Sequence, residues 1–566
     1  MKSAPLIRTA QRRPSLVIVV LLSLIACSKD APPPATTTTR NDAIGTITQA
    51  ALEEHLAYLA DDAREGRMAG EKGHLEAAQY VADQFARMGL EPGGDDGWFQ
   101  QVPLISYRLD EESTTLIAHR DGEDTALQYK EDYTMSGDAV RASSQVRAEV
   151  VYVGFGVHAP ELGYSDYEGV DVEGKIVVMF GNAPGAFPHN ERAFYSSGRT
   201  KSDEAVARGA VGIIGLRDKR SEEYFPWERV KAQAGTRPGM AWVTLGGEPA
   251  DYNPELVGGA YISVPTARAL FEGTPISFDD AREATEASLP ASTPLGFEVT
   301  LARKSTHEVI TSPNVVGIAR GSDPELADEY IVYSAHLDHN GIGAPVDGDA
   351  IYNGAYDNAM GSALLIETAR AFSESPARRS ILLIAVTAEE RGLLGSDYFA
   401  HYPTVPTDAM IANVNLDMPL FLYPVADIIA FGSEHSSLEA TVAEAISAEG
   451  FTLTPDPMPE ENLFRRSDQY SFVRRGVPAA YLKPGFTSTD PTIDGKAVQN
   501  AHRKHHYHQP SDDLSRPVDW DSVVRFARAN ARIGYAIAEE DARPIWNEGD
   551  FFGDKFGRQG PAKTSP

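Results

Sequence analysis

Two adjacent carboxylates, Glu389 and Glu390, follow directly on an unbroken apolar run at residues 381–386. Such a run suits a strand buried on both faces of a parallel sheet. In open α/β sheets ligands sit at the carboxyl ends of the strands. Neighbouring carboxylates raise each other's pKa unless a cation or water relieves them. An isolated Glu-Glu is ordinarily a solvated loop pair, but here other strand ends carry matching chemistry. A strand at 330–335 runs into His336-Leu337-Asp338-His339, and Asp357 stands at the start of a helix after Asn353-Gly354-Ala355-Tyr356. Asn415-Leu416-Asp417 ends another strand, and His506-Tyr507-His508-Gln509-Pro510-Ser511-Asp512 lies near the C-terminus.

The single cysteine, Cys27, excludes an intramolecular disulfide and any multi-cysteine metal site. Histidine and carboxylate donors without sulfur suit a hard-to-borderline cation, and neutral imidazole points to zinc over magnesium. Two histidines and three carboxylates are too many for one tetrahedral zinc that keeps a water. They fit two metals sharing a carboxylate, about 3.5–4 Å apart as in two-metal hydrolases.

Strands at 315–316, 330–335, 381–386, 410–416 and 477–482 alternate with helices at 361–372 and 520–538, which predicts a largely parallel, helix-covered sheet. Residues 74–88 carry a helical apolar face stopped by Gly89. A polar loop around Gly66-Arg67 precedes it. From about residue 148 the pattern shifts to short strands and turns, with no cluster of catalytic side chains. This section reads as an inserted module, with a seam back to the main domain at 288–293.

The chain has 566 residues and a formal net charge of -30, which argues against nucleic acid and against a polybasic membrane surface. Arg8, Arg12 and Arg13 precede an apolar run at 16–25 that ends in Leu24-Ile25-Ala26-Cys27. These are the parts of an export signal, too short for an ordinary membrane span. Its ending resembles a bacterial lipobox, which implies cleavage before Cys27 and lipid on the thiol. The expectation is therefore an exported bacterial lipoprotein facing the periplasm or cell exterior. Residues 28–45, rich in Pro, Thr and Ala, read as a tether.

Taken together, the motifs 334–339, 353–358, 387–396, 415–418 and 507–512 resemble the co-catalytic di-zinc aminopeptidase family. Its relatives include glutamate carboxypeptidase and the transferrin receptor ectodomain. The resemblance covers residues 52–538, and the inserted module looks like a protease-associated domain. It implies an α/β fold with a mostly parallel central sheet covered by helices on both faces, plus a mainly-β insert. The implied organisation is a signal peptide at 1–27, a tether at 28–45, peptidase segments at 46–145 and 291–543, the insert at 146–290 and a tail at 544–566.

Carried over residue by residue, the resemblance makes His336 and Asp417 ligands of one zinc ion and Glu390 and His508 ligands of a second, with Asp357 bridging. It makes Glu389 the general base acting on a metal-activated water, and Asp338 the carboxylate that orients His336. It also implies a cis peptide at Asp357-Asn358. His508 is preferred over His339, His502, His505 and His506 only through the 507–512 motif. The family often has His where this chain has Gln469, which implies an altered pocket rather than lost metal. The implied activity is removal of N-terminal residues from peptide substrates. A carboxypeptidase or dipeptidase on the same scaffold, a one-zinc glutaminyl-cyclase-like enzyme and a non-catalytic binding protein are the alternatives.

Overall fold

The computed structural model describes residues 37–250 and 252–557. The export signal and Cys27 lie outside the described residues. Four strands form the centre of the main sheet: Ser380–Val386, Tyr330–His336, Met410–Asn415 and Ala479–Pro484, adjacent in that order and all parallel. Residues 381–386 are buried throughout, and the reason is visible in their alternation. Ile381, Leu383 and Ala385 face one hydrophobic cluster, while Leu382, Ile384 and Val386 face another. Full burial of such a side chain contributes about 1.5–3 kcal/mol, so leaving one face in water would forfeit half the gain.

Helices cover both faces. Met360–Glu374 and Trp520–Glu539 pack on one side, and Leu394–His401, through Phe399, on the other. The flanks of the sheet are antiparallel, so the whole is mixed. Asp427–Phe431 pairs antiparallel with Ala479–Pro484, and the second half of Thr293–Ala319 pairs antiparallel with Ser380–Val386. The sequence reading missed Asp427–Phe431 and its reversed direction, because an apolar run carries no orientation.

Thr293–Ala319 is 27 residues long, several times an ordinary strand, and it serves two sheets. Its first half pairs with Thr115–Arg120 and Ser143–Tyr152 in a second sheet. That sheet continues in parallel through Ile176–Phe180, Gly212–Leu216 and Gly258–Ile262. Parallel neighbours require crossovers, and helices such as Gly198–Ala207 supply them. The section read as a mainly-β insert over 146–290 is thus an α/β lobe that also uses a strand from 115–120. It has its own core around Tyr152, Phe180, Phe271 and Phe278.

Both ends carry more order than their composition implies. Thr37–Gly45 is a helix within the stretch read as a tether, because Ile44 and Ile47 bury against the main core. At the other end Phe551–Phe556 is a helix in the stretch read as a loose tail. Phe552 is fully buried, 5.0 Å from Phe464 between ring centroids, and His435 Nδ1 lies 2.8 Å from Asp550 Oδ2. Among the described residues no helix is long and apolar enough to cross a membrane.

Phe552 packs behind Ile429, Phe431 and Tyr481, so removing its ring opens a cavity beside the sheet edge. Phe552→Ala is expected to lose about 3–5 kcal/mol in denaturant unfolding; an unchanged midpoint and slope would show that this segment does not dock.

Candidate metal centre

The parallel register brings the ligand loops level. His336 lies opposite Val386, and Ser334 lies opposite both Ile384 and Asn415. The residues just beyond each strand therefore converge above one sheet edge. His336 Nε2 is 3.2 Å from Asp357 Oδ1 and 3.3 Å from Asp417 Oδ1. His508 Nε2 is 3.2 Å from Asp357 Oδ2 and 3.0 Å from Glu390 Oε2. Asp357 thus presents one oxygen to each histidine. The peptide between Asp357 and Asn358 is cis.

His339 joins the second group, with Nδ1 2.6 Å from Glu390 Oε1 and 4.0 Å from Asp357 Oδ2. Both histidines thus approach the same two carboxylates, His508 to within 3.2 Å of each and His339 to within 4.0 Å. His502 instead packs its ring on Tyr356, and His506 contacts Ser511 and Arg516, so neither enters the cluster. No contact brings His505 to it.

These donors fit metal ions. His336, Asp357 and Asp417, and separately His339, Asp357 and Glu390, offer ligand atoms all within 4.8 Å of one another. His339 Nε2 is buried without a hydrogen-bond partner, and His339 Nδ1 and Glu390 Oε1, 2.6 Å apart, face each other without hydrogen-bond alignment. A buried polar atom left this way costs about 1–3 kcal/mol, more when charged, and a cation is the economical remedy. Nitrogen and oxygen donors without sulfur suit zinc. His336 Nδ1 meets the Asp338 carbonyl at 3.1 Å, a contact that, as donor, leaves the Nε2 lone pair facing Asp357 and Asp417.

Electrostatics separate the two glutamates. Burial pushes both toward the neutral form. For Glu389 the neighbouring carboxylates Asp468, Asp417 and Glu390 add to this despite His336, and its pKa sits well above the usual value. For Glu390, His508 and His339 outweigh burial and hold the carboxylate well below it. Burial works against a charged His508 too, yet Glu390 and Asp357 raise it to about 9.

The supporting contacts differ from the expectation for Asp338. Its carboxylate is 3.9 Å from His336 Nδ1. It instead accepts the backbone N–H groups of Glu389 and Glu390, at 3.0 and 3.3 Å. Asp338 therefore positions the glutamate turn, and His336 is oriented by the Asp338 main chain. Asp512 does the same for the bridging residue, accepting from Tyr356 N and Asp357 N at 3.2 and 3.1 Å. Burial, reinforced by Asp357, pushes Asp512 up to about 7. The sequence reading quoted Asp512 without a role; its place four residues after His508 was the available signal.

Asn358 ties two loops together, donating to Leu416 O and accepting from Met418 N. Arg67, fully buried, donates to the carbonyls of Leu59, Leu337, Asn353 and Gly354. Gln469 is fully buried and lines neither of the two cavities that border Glu389. It accepts from Asn415 Nδ2 at 2.9 Å and donates to Phe464 O, so its effect is on the Asp417 loop rather than on pocket shape. From the second lobe, Arg229 donates to Tyr507 O at 2.7 Å, next to His508.

Glu389 belongs to neither donor group and borders two cavities. One, of 270 Å³, is lined largely by apolar residues such as Met418, Leu420, Phe431 and Tyr481 and reaches Asp357 and Asp417. The other, of 940 Å³, reaches Glu390 and His508 and extends between the lobes past Lys201 and Tyr470.

A mixed sheet, helices on both faces and a buried nitrogen–oxygen donor cluster at the strand ends define an α/β protein with a candidate metal centre. Residues 314–533 match the family described as Peptidase family M28. The chain is 30% identical to mouse Aminopeptidase NAALADL1 over 179 residues, 26% of this chain and 22% of that protein. It is 26% identical over 390 residues to the Arabidopsis thaliana protein named "Probable glutamate carboxypeptidase AMP1", 64% of this chain and 50% of that one. The chain thus spans half or less of the length of these curated relatives. In fold it is similar to the aminopeptidase from Aneurinibacillus sp. strain AM-1, with a TM-score of 0.53 at 20% identity, covering 89% of this chain and 97% of that one.

Ser467 Oγ donates to Asp417 Oδ2 at 2.5 Å. Ser467→Ala is expected to weaken metal binding about 10–100-fold, the usual cost of losing a group that orients a ligand, as measured by zinc competition with a chromophoric chelator. Unchanged affinity would show that Asp417 is held without Ser467, by its own loop and by Tyr481 Oη at 3.3 Å.

Proposed function

We propose that this chain is a zinc-dependent exopeptidase that releases N-terminal residues from peptides, with Glu389 as general base. The observation that carries the reading is the asymmetry at Glu389: a 270 Å³ pocket on one side and a 940 Å³ cleft on the other. A small pocket suits one terminal side chain, and an open cleft suits the rest of a peptide. Two zinc ions held by His336, Asp357, Asp417, Glu390 and His508 would make water a nucleophile near neutral pH and polarise the scissile carbonyl.

The chain's own groups supply the remaining steps. A Glu389 carboxylate oxygen takes the proton of the attacking water and returns it to the leaving amine nitrogen. Glu389 is suited to this because it is held by its backbone N–H on Asp338 and engaged by neither donor group. The apolar pocket wall orients the terminal residue and excludes bulk water. The name of the mouse relative supports the N-terminal direction. A carboxypeptidase reading has support from the Arabidopsis relative's name and uses the same machinery.

Glu389→Gln is expected to retain its zinc content and lose about 10²–10⁴-fold in turnover; near-normal turnover would remove Glu389 from the mechanism. The direction is read with an unblocked peptide and its N-acetylated twin, followed by mass spectrometry with and without chelator. Chelator-sensitive shortening abolished by acetylation supports the N-terminal reading, and C-terminal shortening of both peptides replaces it.

We also propose export and lipid anchoring at Cys27, on the basic-then-apolar pattern of residues 8–27. Cys27→Ala should then move the protein from the membrane fraction to the soluble fraction of its host. Persistent membrane partitioning would count against the anchor.

A further inference from the structure

Of the five side chains assigned to zinc, that of His508 is the least enclosed. It is 26% exposed, whereas those of His336, Asp357, Glu390 and Asp417 are at most 7% exposed. His336, Glu390 and Asp417 stand at or just past the ends of paired strands, and Asp357 precedes a buried helix. His508 lies instead in an irregular loop between the helices Gly495–His505 and Trp520–Glu539, and its φ is 54°. A non-glycine residue keeps such a backbone only where its surroundings over-determine it. The N–H groups on either side are held within this part of the chain, Tyr507 N by His502 O at 3.1 Å and Gln509 N by His506 O at 3.0 Å. The Tyr507 carbonyl is held from outside it.

That carbonyl shares a planar peptide unit with the His508 nitrogen, so its direction fixes the φ at which the ligand leaves the chain. Arg229 Nη2 donates to it at 2.7 Å. Arg229 belongs to the second lobe, on the helix Trp227–Gln233. Trp227 Nε1 ties the start of that helix to its own lobe, 3.1 Å from Lys130 O and 2.9 Å from Glu131 O. The Arg229 guanidinium carbon lies 5.1 Å from the centre of the Phe225 ring, and Nε is buried without a partner. Its bond to the Tyr507 carbonyl is charge-assisted, the stronger kind. The Tyr507 ring in turn stacks on the His508 imidazole, 3.8 Å between centres and 27° between planes. Holding the Tyr507 main chain thus fixes the backbone of the ligand and the surface its ring lies against.

We propose that Arg229 is a positioning residue for His508, so that the zinc position at Asp357, Glu390 and His508 is complete only with the second lobe seated on this loop. Among the described residues no second-lobe group hydrogen-bonds to His336 or Asp417 of the other position. The lobe therefore governs metal content at one position and not the other. This rests on the zinc reading of the site and not on its exopeptidase activity.

The test reads zinc before turnover. The full chain is loaded with zinc and titrated against a chromophoric chelator that resolves the two equivalents. Arg229→Met, close in length but without donors, is expected to weaken one equivalent about 10–100-fold, the usual cost of losing a group that orients a ligand. The other equivalent should not change. Arg229→Lys should recover part of the loss, since an ammonium still donates to a carbonyl. Should Arg229→Met not fold, Arg229→Gln is read in its place, with the same loss expected. Arg465→Met is the control, because Arg465 also joins the lobes, donating to Ser196 O at 3.1 Å and, among the described residues, to nothing in the His508 loop. Both equivalents should stay unchanged in it. Unchanged zinc affinity in Arg229→Met overturns the proposal. So does an equal loss in Arg465→Met, which would assign the effect to lobe docking in general. A native chain that binds fewer than two zinc ions overturns it as well. The exopeptidase reading is judged separately, on an unblocked peptide. Two bound zinc ions, the Arg229→Met loss and no cleavage remove that reading and keep the role of Arg229. Cleavage by the native chain with unaltered zinc affinity in Arg229→Met does the reverse.

Discussion

The constraint on which the structure depends is the concentration of buried carboxylates at one sheet edge. Asp338, Asp357, Asp417, Asp468 and Asp512 are all almost wholly buried, and Glu389 and Glu390 stand among them. An ionised carboxylate removed from water must be paired, hydrogen-bonded or bound to a cation, or it takes up a proton. The chain uses all of these. Histidines and the metal-binding geometry answer for Asp357, Asp417 and Glu390. Backbone N–H groups answer for Asp338 and Asp512. Asp468, with both oxygens buried and unpartnered, is raised by burial to about 7 despite His336, the same value as Asp512.

That division explains how loops hold a site that must not drift. Each turn carrying a donor has a short polar side chain behind it that grips its main chain. Asp338 grips the Glu389–Glu390 turn, Asp512 grips Tyr356–Asp357, and Asn358 grips the Leu416–Met418 loop. The turns need gripping because their backbones are unusual. Ala388, Met418 and His508 adopt positive φ of 54°, 47° and 54°, a region that non-glycine residues occupy at a cost of about 1–3 kcal/mol each. Met418 follows Asp417, His508 is itself a candidate donor and Ala388 opens the Glu389–Glu390 turn, so the bent backbone redirects these side chains off the strand line and over the sheet edge. A charge-assisted bond from a carboxylate to two N–H groups is of the right size to offset such a cost.

Much of this was legible in the sequence, for a local reason. Strands 380–386, 330–336 and 410–415 each announce themselves by contiguous apolar residues, and the donors follow immediately. What failed was long-range. Nothing near 551–556 signals that Phe552 finds a slot against Phe464. Nothing near Thr293 announces a strand that crosses two sheets, since its first half pairs with strands more than a hundred residues earlier and its second half with one 62 residues (Ala319 to Ile381) to 70 residues (Val315 to Ala385) later. At Asp338 spacing alone does not choose, because a carboxylate two residues from a histidine has two targets in reach, the ring and the next strand's turn. Only the register of Tyr330–His336 against Ser380–Val386 decides between them. Gln469 likewise reads as a pocket residue until Asn415 is placed beside it.

The second lobe belongs to the same logic. It shares the Thr293–Ala319 strand with the main sheet, so the two lobes are joined by continuous hydrogen-bonded backbone as well as by chain connection. Its Arg229 reaches the carbonyl of Tyr507, and its Tyr224 and Phe225 close one wall of the 270 Å³ pocket. A lobe without a catalytic cluster of its own can therefore act on the site through shape. It narrows one cavity to the size of a side chain while the other stays open between the lobes. The metal centre sits where the two cavities meet, and Glu389 is the carboxylate that faces both. The two cavities therefore differ in volume, 270 against 940 Å³, on either side of one carboxylate.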